Sequence, residues 1–156
     1  MAKVYLGLGT NLGDKEANLR TAIYKLQERI GKPVSLSSFY ETAPWGFEST
    51  HSFLNAAICL ETQLAPLEVL HATQEIEKEL GRTKKSVNGV YSDRLMDIDI
   101  LLYDDLILQT PELTIPHPLM TERDFVMKPL VEIAGNVMHP VRKKTLSSLL
   151  QGLIQA

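Results

Sequence analysis

A single cysteine, Cys59, stands in this chain of 156 residues. A lone thiol has no internal partner, so no intrachain disulfide is expected, and such cysteine usage suits a reducing compartment. It lies in the apolar run Ala57-Ile58-Cys59-Leu60 and reads as a small buried hydrophobe. No apolar stretch reaches transmembrane length. The opening residues Met1-Ala2-Lys3-Val4-Tyr5-Leu6 run into glycines too early for a secretory signal, so the expected location is cytoplasmic. Positive charge is not in excess. A net charge of −3 argues against binding nucleic acid through general phosphate attraction. The histidines His51, His71 and His139 show no metal-ligand spacing with one another, so no zinc site is assigned. The segment Gly7-Leu8-Gly9-Thr10-Asn11-Leu12-Gly13 lacks the Lys-Ser/Thr end of a P-loop and does not match the dinucleotide fingerprint. A tight turn from strand to helix is its first reading, and a direct ligand role is the alternative.

What is present is ordinary for one globular domain: 44% hydrophobic and 22% charged residues. A domain of this size buries roughly two thirds of its unfolded surface and folds without a staple. Lys3 to Leu8 reads as a strand. Asp14 caps a helix running to about Ile30, with Leu19, Ile23, Leu26 and Ile30 on one face. Gly31 and Pro33 stop it, and Val34 to Thr42 is strand-like. Phe53 to Glu61 alternates, with Leu54, Ala56, Ile58 and Leu60 on one face and Phe53, Asn55, Ala57 and Cys59 on the other. Pro66 opens a second helix with Val69, Ala72, Ile76 and Leu80 buried, and Gly81 caps it. Met96 to Tyr103 is a strand, followed by a turn at Asp104-Asp105. Thr121 starts another helix with Asp124 in the capping-box position, and Pro129 is expected to break it. Thr145 opens a last amphipathic segment. The order β-α-β-β-α-β with a helical tail predicts a ferredoxin-like α+β fold, an antiparallel sheet with both helices on one face.

Asp97-Ile98-Asp99 is the sharpest chemical signal. Side chains two apart on a strand share a face, so both carboxylates project together while Met96, Ile98 and Ile100 fill the other side. Acids are depleted in strands, and like charges side by side repel unless a cation lies between them. A hard ion such as Mg²⁺ resolves that conflict. The bland alternative is a wet strand face whose acids pair with lysine or arginine. Segment 82–94 leads into this strand and carries Arg82, Lys84, Lys85 and Arg94 against Asp93 alone. Carboxylates for metal beside a cationic loop suit phosphoryl-type transfer, whereas a solvated charged loop is the plain reading. His117, between Pro116 and Pro118, has an extended and stiff backbone. Asn55 beside Phe53 suggests a flat heterocycle, which takes both stacking and an amide. Gln74 and Glu77 lie one turn apart on the second helix and read first as a solvated edge. Trp45, Phe47, Phe53 and Phe125 read first as core.

These residues resemble the 6-hydroxymethyl-7,8-dihydropterin pyrophosphokinase family nearly end to end. The stretches that carry the resemblance are YLGLGTNLGD (5–14), FYETAPWG (39–46), FLNAAICLET (53–62), Gly81-Arg82, RLMDIDILLYDD (94–105), LTIPHPLMTERDF (113–125) and Pro129-Leu130. The resemblance implies pyrophosphoryl transfer from ATP to the hydroxymethyl group of a reduced pterin in folate biosynthesis, with AMP released. It implies that Asp97 and Asp99 hold two Mg²⁺ ions and that Arg82 and Arg94 engage the phosphates. It also implies a pterin site with Phe125 as a stacking wall, Tyr91 where the family commonly has Trp, and Phe53 where it often has Tyr. Asn55 would read the ring, helped by the loop from Thr42 through Pro44 to Trp45. Leu70, Gln74, Glu77, Ile100, Thr114, His117 and Arg123 match residues lining the ATP cleft, and Lys84 keeps positive charge on that side without the planar fork of arginine. Residues 1–156 would then form a single pyrophosphokinase domain, a monomer with small-molecule substrates and no nucleic-acid or membrane partner. Segment 82–94 departs from the family pattern, longer by two residues, with the Trp, one Arg and a Gly-Pro pair replaced. Two other readings compete: a relative that binds pterin or nucleotide without chemistry, and an RNA-binding module. Intact Asp97, Asp99, Arg82 and Arg94 speak against the first, and the acidic body against the second.

Overall fold

The computed structural model describes residues 1–42, 52–81 and 96–155. Strand β1, Ala2–Thr10, is the middle of the sheet and is covered on both sides. Helix α1, Lys15–Arg29, follows, with the Asp14 carboxylate accepting from the Ala17 N–H at 3.1 Å. The expected stripe of Leu19, Ile23, Leu26 and Ile30 is buried. The single strand expected at Val34 to Thr42 is two strands, β2 (Gly31–Leu36) and β3 (Tyr40–Thr42), both paired with β4. The break has a local cause. Ser37 turns inward, donating its N–H to Ala57 O and accepting the Ala57 N–H on its hydroxyl. Pro33 is tolerated because β2 is an edge strand.

Strand β4, Phe53–Thr62, lies antiparallel to β1 in continuous register from Ala2 opposite Thr62 to Thr10 opposite Leu54. Helix α2, Pro66–Glu79, carries proline at its first turn, and Gly81 beyond it takes a φ of 101°, a value suited to glycine. Strand β5, Asp97–Tyr103, pairs with the other side of β1. The order β2-β4-β1-β5, antiparallel at every described pairing, is that of a ferredoxin-like sheet.

The sheet has two cores rather than one. Helices α1 and α2 cover Val4, Leu6, Leu8, Ala56, Ile58, Leu60, Ile98 and Ile100. On the opposite face, Tyr5, Ala57, Cys59, Leu101 and Leu102 pack under α3 (Asp124–Ala134) and α4 (Leu146–Gln155). The helical tail therefore forms a third layer, and the face with Phe53, Asn55, Ala57 and Cys59 is core in its second half. Cys59 is buried as expected. Between β5 and α3 run a small hairpin, β6 (Leu108–Gln109) with β7 (Thr114–Ile115), and a 3₁₀ turn at Met120–Glu122.

Helix α3 departs from expectation twice. It begins at Asp124 with Arg123 in the cap position, and Thr121 lies instead within the 3₁₀ turn, its hydroxyl accepting from Arg142 at 3.4 Å. It also continues through Pro129. Proline forfeits one hydrogen bond there, but Met127, Pro129, Leu130 and Ala134 are all buried, and burial of that face outweighs the loss. The Thr145 hydroxyl accepts from the Ser148 N–H at 3.2 Å and opens α4 as expected. Among the described residues, no helix is long and apolar enough to cross a membrane.

Helices α1 and α2 are joined at the surface by Glu79, which accepts from Arg29 and from Lys25. Hydrogen bonding from Arg29, then from Lys25, lowers the Glu79 pKa to about 2. A carboxyl whose folded pKa lies below its unfolded value adds stability that is present above the unfolded pKa and is lost as pH falls through the folded one. Stability is therefore expected to decline between about pH 4.5 and about pH 2. Glu79→Gln should flatten that part of the profile in urea unfolding. A variant with the wild-type acid slope would show that the cluster contributes nothing.

Candidate active site

The alternation that builds the second core also builds a pocket beside it. On that face β5 presents Asp97, Asp99 and then Leu101. Strand β1 presents Gly7 and Gly9, opposite Asp99 and Asp97 on one side and opposite Ala57 and Asn55 on the other. Strand β4 adds Phe53 and Asn55, β3 adds Thr42, and Arg123, Phe125 and Val126 close the pocket from the start of α3. Gly7 and Gly9 are thus not part of a turn, as their sequence suggested. They form the floor of a strand crossing the pocket, and a carbon added at Gly9 would sit 2.9 Å from Asn55 Oδ1.

The floor separates two kinds of chemistry. Asp97 and Asp99, both half-buried, supply adjacent oxygen donors on one side. Across the glycines, Asn55 is only 6% exposed and its side-chain N–H donates to the Thr42 hydroxyl at 2.9 Å, which fixes the amide plane. The half-buried rings of Phe53 and Phe125 flank it. The Arg123 guanidinium lies 5.8 Å from the centre of the Phe125 ring, close enough for cation–π attraction.

Seven of the site residues expected from sequence line this pocket: Thr42, Phe53, Asn55, Asp97, Asp99, Arg123 and Phe125. Thr114 and His117 line a neighbouring hollow with Gln109, His139 and Arg142. The His117 N–H bonds Leu101 O at 3.0 Å, and its Nδ1 accepts from the Leu119 N–H at 3.2 Å. The Ile115–Pro116 peptide is cis. Burial, and next the Arg123 charge, lower the His117 pKa, with Asp97 opposing, so the ring is neutral near pH 7. Leu70 and Ile100 pack in the α1/α2 core, and Gln74 is exposed on α2. Glu77 is buried, and its Oε2 accepts from the Ile98 N–H at 2.8 Å. Pro44, Trp45, Arg82, Lys84, Tyr91 and Arg94 lie outside the described residues. No group of three or more His, Cys, Asp or Glu side chains suited to a metal occurs among the described residues.

Sequence reasoning put a turn first for Gly7 and Gly9 and a direct ligand role second, without placing them on a strand facing the pocket. Their spacing of two matches that of Asp97 and Asp99, and this was the signal that could have shown them sharing a strand face.

Fold and pocket define a class: a ferredoxin-like domain with a pocket on one sheet face, paired carboxylates on one side and an amide between aromatic rings on the other. The model of the 7,8-dihydro-6-hydroxymethylpterin-pyrophosphokinase family matches residues 5–135. The chain belongs to that family. It is 56% identical over 141 residues to the 2-amino-4-hydroxy-6-hydroxymethyldihydropteridine pyrophosphokinase of Porphyromonas gingivalis, covering 90% of this chain and 95% of that one. The Aquifex aeolicus protein of the same name is 44% identical over 146 residues, covering 94% of this chain and 89% of that one. Among solved structures, a Plasmodium falciparum HPPK-DHPS chain crystallised with pteroate superposes with a TM-score of 0.79 at 17% identity. It matches 99% of this chain, which spans 42% of that longer one. The chemistry that names the family is pyrophosphoryl transfer to hydroxymethyldihydropterin.

The glycine floor can be tested without ligand. Gly9→Ala places its new carbon against Asn55 Oδ1 and is expected to destabilise the fold by about 1–3 kcal/mol. At Gly7 the nearest atoms belong to the flexible Leu101 side chain at 3.3 Å. Gly7→Ala should be nearly neutral, since losing a strand glycine returns about 0.5–1 kcal/mol. Equal costs in urea unfolding would show that the Asn55 contact does not set the geometry.

Proposed function

We propose that this chain, as a single domain over residues 1–156, transfers the pyrophosphoryl group of ATP to 6-hydroxymethyl-7,8-dihydropterin in folate synthesis. The hydroxymethyl oxygen bonds to the β-phosphorus and loses its proton. The bond from that phosphorus to the α–β bridging oxygen breaks, and AMP leaves with the electron pair. The observation that carries this reading is the pocket itself. Asp97 and Asp99 lie across Gly9 and Gly7 from Asn55, so a ring held by the amide would point its substituent toward the carboxylates.

On the pterin side, Asn55 reads the ring edge with a donor and an acceptor, the Thr42 hydroxyl holds that amide, and Phe53 and Phe125 stack. Pro44, Trp45 and Tyr91 complete this side by resemblance. By resemblance the nucleotide side is made by Leu70, Gln74, Glu77, Ile100, Thr114, His117 and Arg123. Neutral His117 can donate one hydrogen bond, and Arg123 brings a planar fork suited to phosphate. Arg82, Lys84 and Arg94 bring further positive charge to the transferred group, with Arg82 and Arg94 as the catalytic pair.

The donor set fits Mg²⁺: two neighbouring carboxylates, both half-buried in the pocket wall. Asp97 and Asp99 would hold two ions, which when bound would neutralise phosphate charge and favour both the attacking and the leaving oxygen. The chain acts as a monomer in the cytoplasm, with ATP and reduced pterin as its small-molecule partners.

AMP release from Mg-ATP, with and without the pterin, tests the reading. Pterin-dependent AMP is expected, and Asp97→Ala should abolish it in a folded protein; full turnover in that variant would sink the metal assignment. Asn55→Ala should weaken pterin binding about 10-fold or more in calorimetry, as losing a buried hydrogen-bonding group costs about 1–3 kcal/mol. Unchanged pterin affinity would remove Asn55 from the recognition of the ring.

A further inference from the structure

Ile98 stands between the two aspartates, and the pairing of β5 determines where its amide points. Asp97 and Asp99 lie opposite Gly9 and Gly7. In an antiparallel ladder successive residues turn their N–H and C=O groups alternately toward and away from the partner strand. The Ile98 N–H reaches Glu77 on α2 at 2.8 Å, so it is the amide turned outward. In the described sheet order β5 is an edge strand, with β1 as its neighbour. Its register with β1 already shifts at Leu101, between the partners of Tyr5 and Leu6. An edge segment next to such an irregularity is the part of a sheet most free to twist.

We infer that Glu77 is a positioning residue for the Asp97–Asp99 pair, closing the open edge of β5 at the residue between them. Glu77 is buried, 7% exposed, and its bond to the Ile98 amide is shielded from competition by water. Fixing the Ile98 peptide fixes the twist between the two flanking residues, and hence the spacing of their carboxylates. Ile98 is itself anchored in the α1/α2 core, so the segment is held by its side chain and by its amide together. This role is distinct from contact with the nucleotide, and it rests on the reading of Asp97 and Asp99 as holders of a divalent cation.

The test uses the full-length chain with Glu77→Gln, whose amide oxygen still accepts, and Glu77→Met, which is similar in size and cannot. Hydrogen exchange of the Ile98 amide is followed by NMR, and the affinity for Mn²⁺ by the loss of its free-ion EPR signal. Glu77→Gln should keep both within about 3-fold of wild type. Glu77→Met should speed Ile98 exchange at least 10-fold and weaken Mn²⁺ binding about 10–100-fold, the range expected when a support of a metal ligand is removed. Faster exchange with wild-type Mn²⁺ affinity would reduce Glu77 to a staple between α2 and β5 and overturn the inference. So would a Glu77→Gln variant that loses Mn²⁺ as Glu77→Met does, and this arm decides the matter should Glu77→Met not fold. Wild-type protein that binds no Mn²⁺, or Asp97→Ala that binds it normally, would instead overturn the reading of the aspartates, and the inference with it.

Discussion

Where β1 crosses the pocket it lies between Asn55 and Ala57 on β4 and Asp97 and Asp99 on β5, and it presents no side chain there. Any larger residue would fill the space the pocket occupies, and at Gly9 it would also push on the Asn55 amide. The cross-strand spacing then does the rest. Adjacent strands lie about 5 Å apart, so residues on β4 and β5 facing each other across β1 are separated by about 10 Å. Side chains of modest length reach into that gap from both walls.

The second constraint is that both faces of the sheet are covered. Helices α1 and α2 cover one face completely enough to bury Val4, Leu6, Ile58 and Leu60. On the other face α3 and α4 cover Tyr5, Cys59 and Leu102 and stop short of the glycines. Among the described residues, the pocket lies at the end of that face beyond α4, with the start of α3 as its wall. Arg123 and Phe125 owe their place to this arrangement, since α3 begins at Asp124 rather than at Thr121. Glu132, one turn from the other end of α3, accepts from the Ser38 N–H, the Ser38 hydroxyl and the Tyr40 hydroxyl. The short strand carrying Thr42 is therefore tied both to β4 and to the helix that walls the pocket.

Much of this was legible in the sequence because strand period is a strong signal. The alternation in Phe53 to Glu61 put Asn55 and Phe53 on one face and Ile58 on the other, and the structure agrees. Asp97 and Asp99 separated from Ile98 and Ile100 by the same rule. What could not be read was which residue type would yield to tertiary context. Glycines are ordinary punctuation in a sequence, and only pairing with β4 and β5 reveals Gly7 and Gly9 as part of a strand. Pro129 is a helix breaker by local rules, and only the second core explains why α3 runs through it. Thr121 has the chemistry of a helix cap, but its hydroxyl meets Arg142 from a segment 21 residues away. Glu77 looked like a solvated edge because nothing local shows that Ile98 offers it an amide.

The two cores have a consequence for how the protein tolerates change. The sheet is one residue thick, and side chains on its two faces share a backbone without touching each other. Substitutions among Leu19, Leu26 and Ile76 perturb a layer across the sheet from Asn55, so their effects and those of changes around Asn55 should combine almost independently. Stability can drift on one face while recognition is held constant on the other. Glu77 is a place where that separation is breached, because a buried group of the α1/α2 side there meets the backbone of the site. Mutational coupling between the two halves should therefore concentrate at the outer edge of β5.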